Sequence, residues 1–237
     1  MPPVQVKGMW PLTSFQNNLS SIFNKQKLSD VRFAIKTNNV MRSNNGDKHF
    51  DCTFQYFYCH KLILGMASEA FMSCFSGGMS DSIVNTSVVS SSDGWNGTTI
   101  LLDDWVDEKS LELFLKYVYG EAKENILDGL PVDEVTTLYC INIMRLSDMY
   151  FLPHLKSIME CWLSSNDVID VYNVVSLLTH ASSCHAYQLL KRCVYIARQM
   201  YNVVSNTPEW YELQANYPEV VHKIEHIPKS SANKQQL

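Results

Sequence analysis

An α+β fold is what this sequence predicts, with a small sheet laid down early and helices to the end of the chain. Two early segments, 29–36 (SDVRFAIK) and 49–61 (HFDCTFQYFYCHK), alternate apolar and polar side chains with the period of a strand. From Asp107 onward the apolar residues recur instead at the three-to-four spacing of amphipathic helices. The period changes at His60, so strand chemistry gives way to helix chemistry at one identifiable place.

In chain order, Phe15, Leu19, Ile22 and Phe23 have helical spacing behind a Thr13 cap, which predicts a first helix over 12–24. Val31, Phe33 and Ile35 then share one face of a strand. TNNVMRSNNGDK (37–48) is rich in turn formers and reads as a hairpin loop. In the second strand Phe50, Cys52, Phe54, Tyr56 and Tyr58 share a face. Phe57 and Cys59 lie opposite, so both faces of the sheet are expected to be covered. Leu62, Ile63 and Met66 suit a short helix. Ser68 caps the next, where Phe71 and Phe75 stack one turn apart, and Gly77-Gly78 ends it.

Residues 82–98, rich in Ser, Thr, Asn and Gly, read as an exposed loop. TILLDDW (99–105) follows as a short buried strand. Asp107 caps a helix carrying Leu111, Phe114, Leu115 and Val118 and ending at Gly120. Val135, Leu138, Ile141 and Met149 mark the next, after a loop containing Pro131. Pro153 starts another, with Leu155, Ile158 and Trp162 facing inward. Two stripes follow: Val168, Val171, Val175 and Leu178, then Leu190, Val194, Ala197, Tyr201 and Val204. Thr207-Pro208 opens a last short helix, and no internal repeat is visible.

Composition excludes several classes of function. With 46% hydrophobic and 18% charged residues, the 237-residue chain is globular and fits one domain, or one domain with a small helical extension. A net charge of −5 with scattered Lys and Arg argues against nucleic acid as a partner. No apolar run is long enough to span a membrane, and the N-terminus lacks a basic start and apolar stretch, so it is not a secretory signal. The 7 cysteines show no paired CxxC spacing, which points to reduced, mostly buried thiols in an intracellular protein, cytoplasmic or nuclear.

The ordered set LSDVRFAI, CHKLILGMASEAFMSCF, GGMSD, ILLDD, SLELFLKYVYGE and LSDMYFLPHLKSIMECWL resembles the BTB/POZ domain. The resemblance covers residues 12–164, preceded by a tail at 1–11. The helices of 165–227 are similar to the start of a BACK extension, and 228–237 form a polar tail expected to be disordered. What the resemblance implies is a three-stranded sheet packed with a helical cluster and followed by an all-helical extension. It implies a protein-binding module that self-associates, as a homodimer or with a related BTB protein, and performs no catalysis. It also implies recruitment of cullin-3, bringing an unknown substrate protein to a cullin-RING ubiquitin ligase. The alternative it leaves open is a dimerising scaffold in a transcriptional or signalling complex without cullin. No cofactor or metal is expected, and no kelch, MATH, ankyrin or zinc-finger substrate reader is visible.

The same resemblance assigns Met79, Asp81 and Tyr119 to a cullin interface. Met79 is the apolar knob, Asp81 stands where a longer Glu is usual, and Tyr119 falls where cullin-binding members place an exposed aromatic anchor, the alternative being that it joins its neighbours Tyr117 and Val118 in the core. Asp30 and Lys61 fall where an acid and a base meet in a charged pocket near the dimer interface. Cys59-His60 has the look of a nucleophile and base, yet adjacent strand residues project to opposite faces. They are expected to be a buried thiol and a His hydrogen-bonded at a strand–helix junction. His180, Cys184 and His185 supply fewer than the four ligands of a structural zinc site, and Cys184 and His185, as helix neighbours, diverge by about 100°. Ordinary polar residues at a helix junction are expected there.

Overall fold

The computed structural model describes residues 18–42, 48–76, 94–120, 126–127, 131, 133–165 and 168–226. Residues 18–22 are helical (α1). Strands β1 (Val31–Arg42) and β2 (Lys48–Cys59) precede α2 (Lys61–Ala67) and α3 (Glu69–Phe75). Then come β3 (Thr98–Leu101) and α4 (Glu108–Val118). Helices α5 (Glu134–Met149), α6 (Pro153–Leu163), α7 (Val174–Ser183), α8 (Tyr187–Gln199), α9 (Tyr201–Val204), α10 (Pro208–Asn216) and α11 (Pro218–Glu225) complete the chain. The architecture is α+β, with one three-stranded sheet in the order β2-β1-β3.

β1 is the central strand, antiparallel to β2 with Val31 opposite Cys59, and parallel to β3 with Val31 opposite Thr98. A central strand must be covered on both faces, and residues 31–35 are all buried. The hairpin ladder runs on to Arg42 opposite Lys48, so most of the segment expected as a loop is strand instead. Polar side chains did not prevent pairing because they pair with each other: the Thr37 and Thr53 hydroxyls sit 2.8 Å apart across the strands.

Two compact units divide the chain, residues 1–129 with 149–152, and residues 130–148 with 153–237. Residues 134–148 of α5 and all of α6 group with the later helices. In the first unit the core is aromatic. Phe33, Phe71, Phe114 and Tyr150 are fully buried, and the Phe71 and Tyr150 rings stack at 4.3 Å. Ser68 accepts the Ala70 N–H and donates its hydroxyl to the Tyr150 carbonyl, which ties the start of α3 to this cluster. Asp107 caps α4 by accepting the Ser110 N–H at 2.8 Å, and Gly120 beyond it takes φ +84°, the conformation that lets the helix stop.

In the second unit, the buried stripe of α6 is Leu155, Met159 and Leu163, with Ile158 and Trp162 at its margin. Val135 and Leu138 of α5 face outward; its buried face is Cys140, Ile141, Ile143, Met144 and Leu146. Of the expected residues Val135, Leu138, Ile141 and Met149 only Ile141 is buried, because buried Thr136, Thr137, Asn142 and Ser147 share the inward face and hid the rest of the stripe. Thr137 and Ser147 become compatible with burial by donating to carbonyls one turn back. The long stripe over 190–204 is broken at Met200 into α8 and α9. Thr207 caps α10 as expected, while α11 was not anticipated. No side chain of α8's own N-cap residue, Ala186, can cap it; the buried Glu160 carboxylate from α6 accepts the Gln188 and Leu189 N–H groups instead.

Candidate interaction surface

Asp30 is pinned at the edge of the hairpin. Its N–H donates to the Cys59 carbonyl at 3.3 Å, and its own carbonyl accepts the Thr98 N–H at 3.0 Å. Its carboxylate accepts the Lys61 N–H at 2.8 Å. Lys61 opens α2, whose N-cap residue His60 supplies no side-chain cap, so Asp30 caps this helix from 31 residues away. The Lys61 ammonium lies 5.7 Å from the centre of the Phe75 ring rather than on Asp30. Within the chain, then, the two charges predicted to form a pocket lie side by side but do not form an ion pair.

This geometry separates two roles of Asp30. Asp30→Ala removes the acceptor for a helix-terminal amide and is expected to cost about 1 kcal/mol. Asp30→Asn keeps a carbonyl oxygen there, so urea unfolding should stay within about 0.5 kcal/mol of wild type. Any larger change in self-association by Asp30→Asn would then report the lost charge at an interface. A urea midpoint for Asp30→Asn as low as that for Asp30→Ala would contradict this division.

Tyr119 is a correction. Assigned by the resemblance to an exposed aromatic anchor, it is 0% exposed, as the core alternative had it. It follows α4 one turn after Leu115, on that helix's inward side, and its ring lies 5.2 Å from Phe23. Its hydroxyl accepts the His60 N–H at 2.9 Å and lies 2.8 Å from His60 Nδ1. Burial pushes both the phenol and the neighbouring Cys59 thiol well above their ordinary ranges, so both stay protonated. Cys59 is fully buried, and a thiol so placed has little thiolate to offer a substrate. Desolvation lowers the pKa of His60 despite the opposing field of Asp30, which favours a neutral ring.

Outward-facing apolar side chains surround this junction in sequence. Leu62 and Met66, four apart on α2, are 71% and 74% exposed, and Leu28 in the preceding turn is 78% exposed. Met72 of α3 lies against Gly65, where an added Cβ would come within 3.3 Å of its methyl group. Met79 and Asp81 lie outside the described residues, as do the tails at 1–11 and 228–237.

The opposite sheet face carries a feature that sequence reasoning missed. Arg32 is fully buried, its guanidinium 3.8 Å from the centre of the Tyr56 ring and 5.2 Å from that of Trp95, with Nε donating to Thr99 Oγ1 at 3.0 Å. The available signal was the shared phase of Tyr56 and Tyr58, which the register places opposite Ala34 and Arg32. In the second unit, burial and the Arg145 cation lower the pKa of His180, while Cys184 is buried and His185 exposed. Among the described residues no group of three or more His, Cys, Asp and Glu side chains could hold a metal ion. Nor is any described helix long and apolar enough to cross a membrane.

No family model matches this chain, and no curated protein matches it.

Proposed function

We propose that this chain is a protein–protein interaction adaptor of the BTB/POZ type, acting in the cytoplasm or nucleus through self-association and partner docking. The observation that carries the reading is the outer face of α2. Leu62 and Met66 stand largely in solvent one turn apart on one short helix, with the equally exposed Leu28 in the turn before β1. Apolar side chains so placed, beside Asp30 and Lys61, suit contact with a second protein. The three-stranded sheet with helices behind it agrees with the fold the resemblance implies.

Under this reading Met79 and Asp81 are the remaining proposed contacts with cullin-3, and the substrate protein is brought to a ubiquitin ligase. The burial of Tyr119 removes one of the three proposed contacts. It favours the second reading, a self-associating scaffold in a transcriptional or signalling complex that leaves cullin-3 alone.

Light scattering of the full chain, wild type against Leu62→Glu/Met66→Glu, tests the shared part of both readings. Burial of these two side chains in a dimer is worth about 3 kcal/mol, so the double variant should weaken self-association on the order of 100-fold. A wild type that stays monomeric at every concentration overturns self-association. Pull-down with purified cullin-3 separates the readings: binding lost in Met79→Glu supports the ligase adaptor, and no binding by wild type leaves the scaffold.

A further inference from the structure

Helix α8, YQLLKRCVYIARQ, carries Lys191, Arg192 and Arg198 and no acidic residue, in a chain whose net charge is −5. Its inward face is filled by Leu189, Cys193, Val194, Ile196 and Ala197. Its outward face presents Tyr187, Lys191 and Tyr195 at four-residue intervals, with the tyrosines 71% and 53% exposed. The Arg192 guanidinium lies 5.7 Å from the centre of the Tyr195 ring, and exposed His185 sets its ring edge-on to Tyr187 at 6.4 Å. Arg198 is already engaged, donating to the Lys223 carbonyl of α11. Lys191 has no ion pair or hydrogen bond among the described residues.

We infer that this α8 face is a docking site for an acidic, partly apolar peptide segment of another protein. Tyrosines bury large area with few rotamers to freeze, so two of them on a rigid helix make favourable anchors. The cation between them selects a carboxylate; α8 itself carries no acid to compete for it, and the nearby Glu160 carboxylate is buried and engaged with the Gln188 and Leu189 N–H groups. From Tyr187 to Tyr195 the helix rises about 12 Å, the length of roughly four extended residues. The segment therefore places an apolar side chain against each tyrosine and a carboxylate on Lys191 between them. This site lies on the second unit, and it stands independently of the self-association proposed through α2.

The test pans a random octapeptide phage library on the full chain, then measures one enriched peptide by fluorescence anisotropy. Enriched peptides rich in Asp and Glu are expected. The measured peptide should bind at least tenfold more weakly to Lys191→Glu/Tyr195→Ala, and more weakly to wild type as salt rises. Both positions are solvent-facing, so the variant should keep the wild-type circular dichroism and melting temperature, and light scattering should show its self-association unchanged. Enrichment of basic or uncharged peptides, no enrichment, or equal binding by the double variant overturns the inference. So does stronger binding of the same face to phosphatidylserine vesicles than to any enriched peptide.

Discussion

Tyr150→Ala is expected to lower stability by about 3–5 kcal/mol, among the largest effects available to a single substitution in this chain. Tyr150 is 1% exposed, and three rings close around it: Phe71 stacked at 4.3 Å, Phe114 tilted at 5.8 Å, and Phe33 edge-on at 6.4 Å. These rings come from α3, α4 and the central strand, so truncation opens a cavity where all three meet. Neighbouring rings cannot collapse into it without breaking their own contacts, and a cavity that cannot relax carries the full cost. Tyr150→Phe keeps the ring and its three aromatic contacts and is expected to lose far less. Urea unfolding followed by circular dichroism checks both. For a chain of this size the alanine variant should melt on the order of 10 °C lower. An alanine variant no less stable than the phenylalanine variant would mean the rings are not a shared core.

That core was only half legible in the sequence. Phe71 and Phe75 at helical spacing were readable as a stacked pair, and their rings are within 6° of parallel at 6.1 Å. Local periodicity says nothing of which distant ring completes a cluster, and Tyr150 arrives from about eighty residues away. The caps at Ser68, Asp107 and Thr207 were legible for the opposite reason: a cap bonds within a few residues of itself, so local sequence suffices. Asp30 and Glu160 cap helices from a distance and left no local trace. In α5, backbone-bonded Thr and Ser occupy the inward face while Val135 and Leu138 point outward, so counting apolar residues found only Ile141 of the buried stripe. Arg32 shows the same limit with the sign of charge: its burial depends on rings supplied by β2 and by Trp95.

Tyr119 is where this limit bears on function, because the BTB/POZ resemblance implies an exposed anchor there and its packing removes it from the surface. Tyr119→Phe is expected to cost about 1–3 kcal/mol, since the buried ring stays while the His60 N–H and Nδ1 lose their partner. Tyr119→Ala adds a cavity beside Phe23 and Cys59 and should cost about 3–5 kcal/mol. An anchor for a partner protein would show the reverse pattern: unfolding unchanged and binding lost. Urea unfolding of both variants, alongside the cullin-3 pull-down, separates the two roles. Cysteine labelling mapped by mass spectrometry adds a local readout. Cys59 is fully buried in wild type and should react slowly with a thiol reagent, whereas the opened space in Tyr119→Ala should let solvent reach it and speed its labelling at least tenfold. Unchanged Cys59 labelling together with unchanged stability would put Tyr119 back at the surface. The burial argument for the scaffold reading would then fall with it.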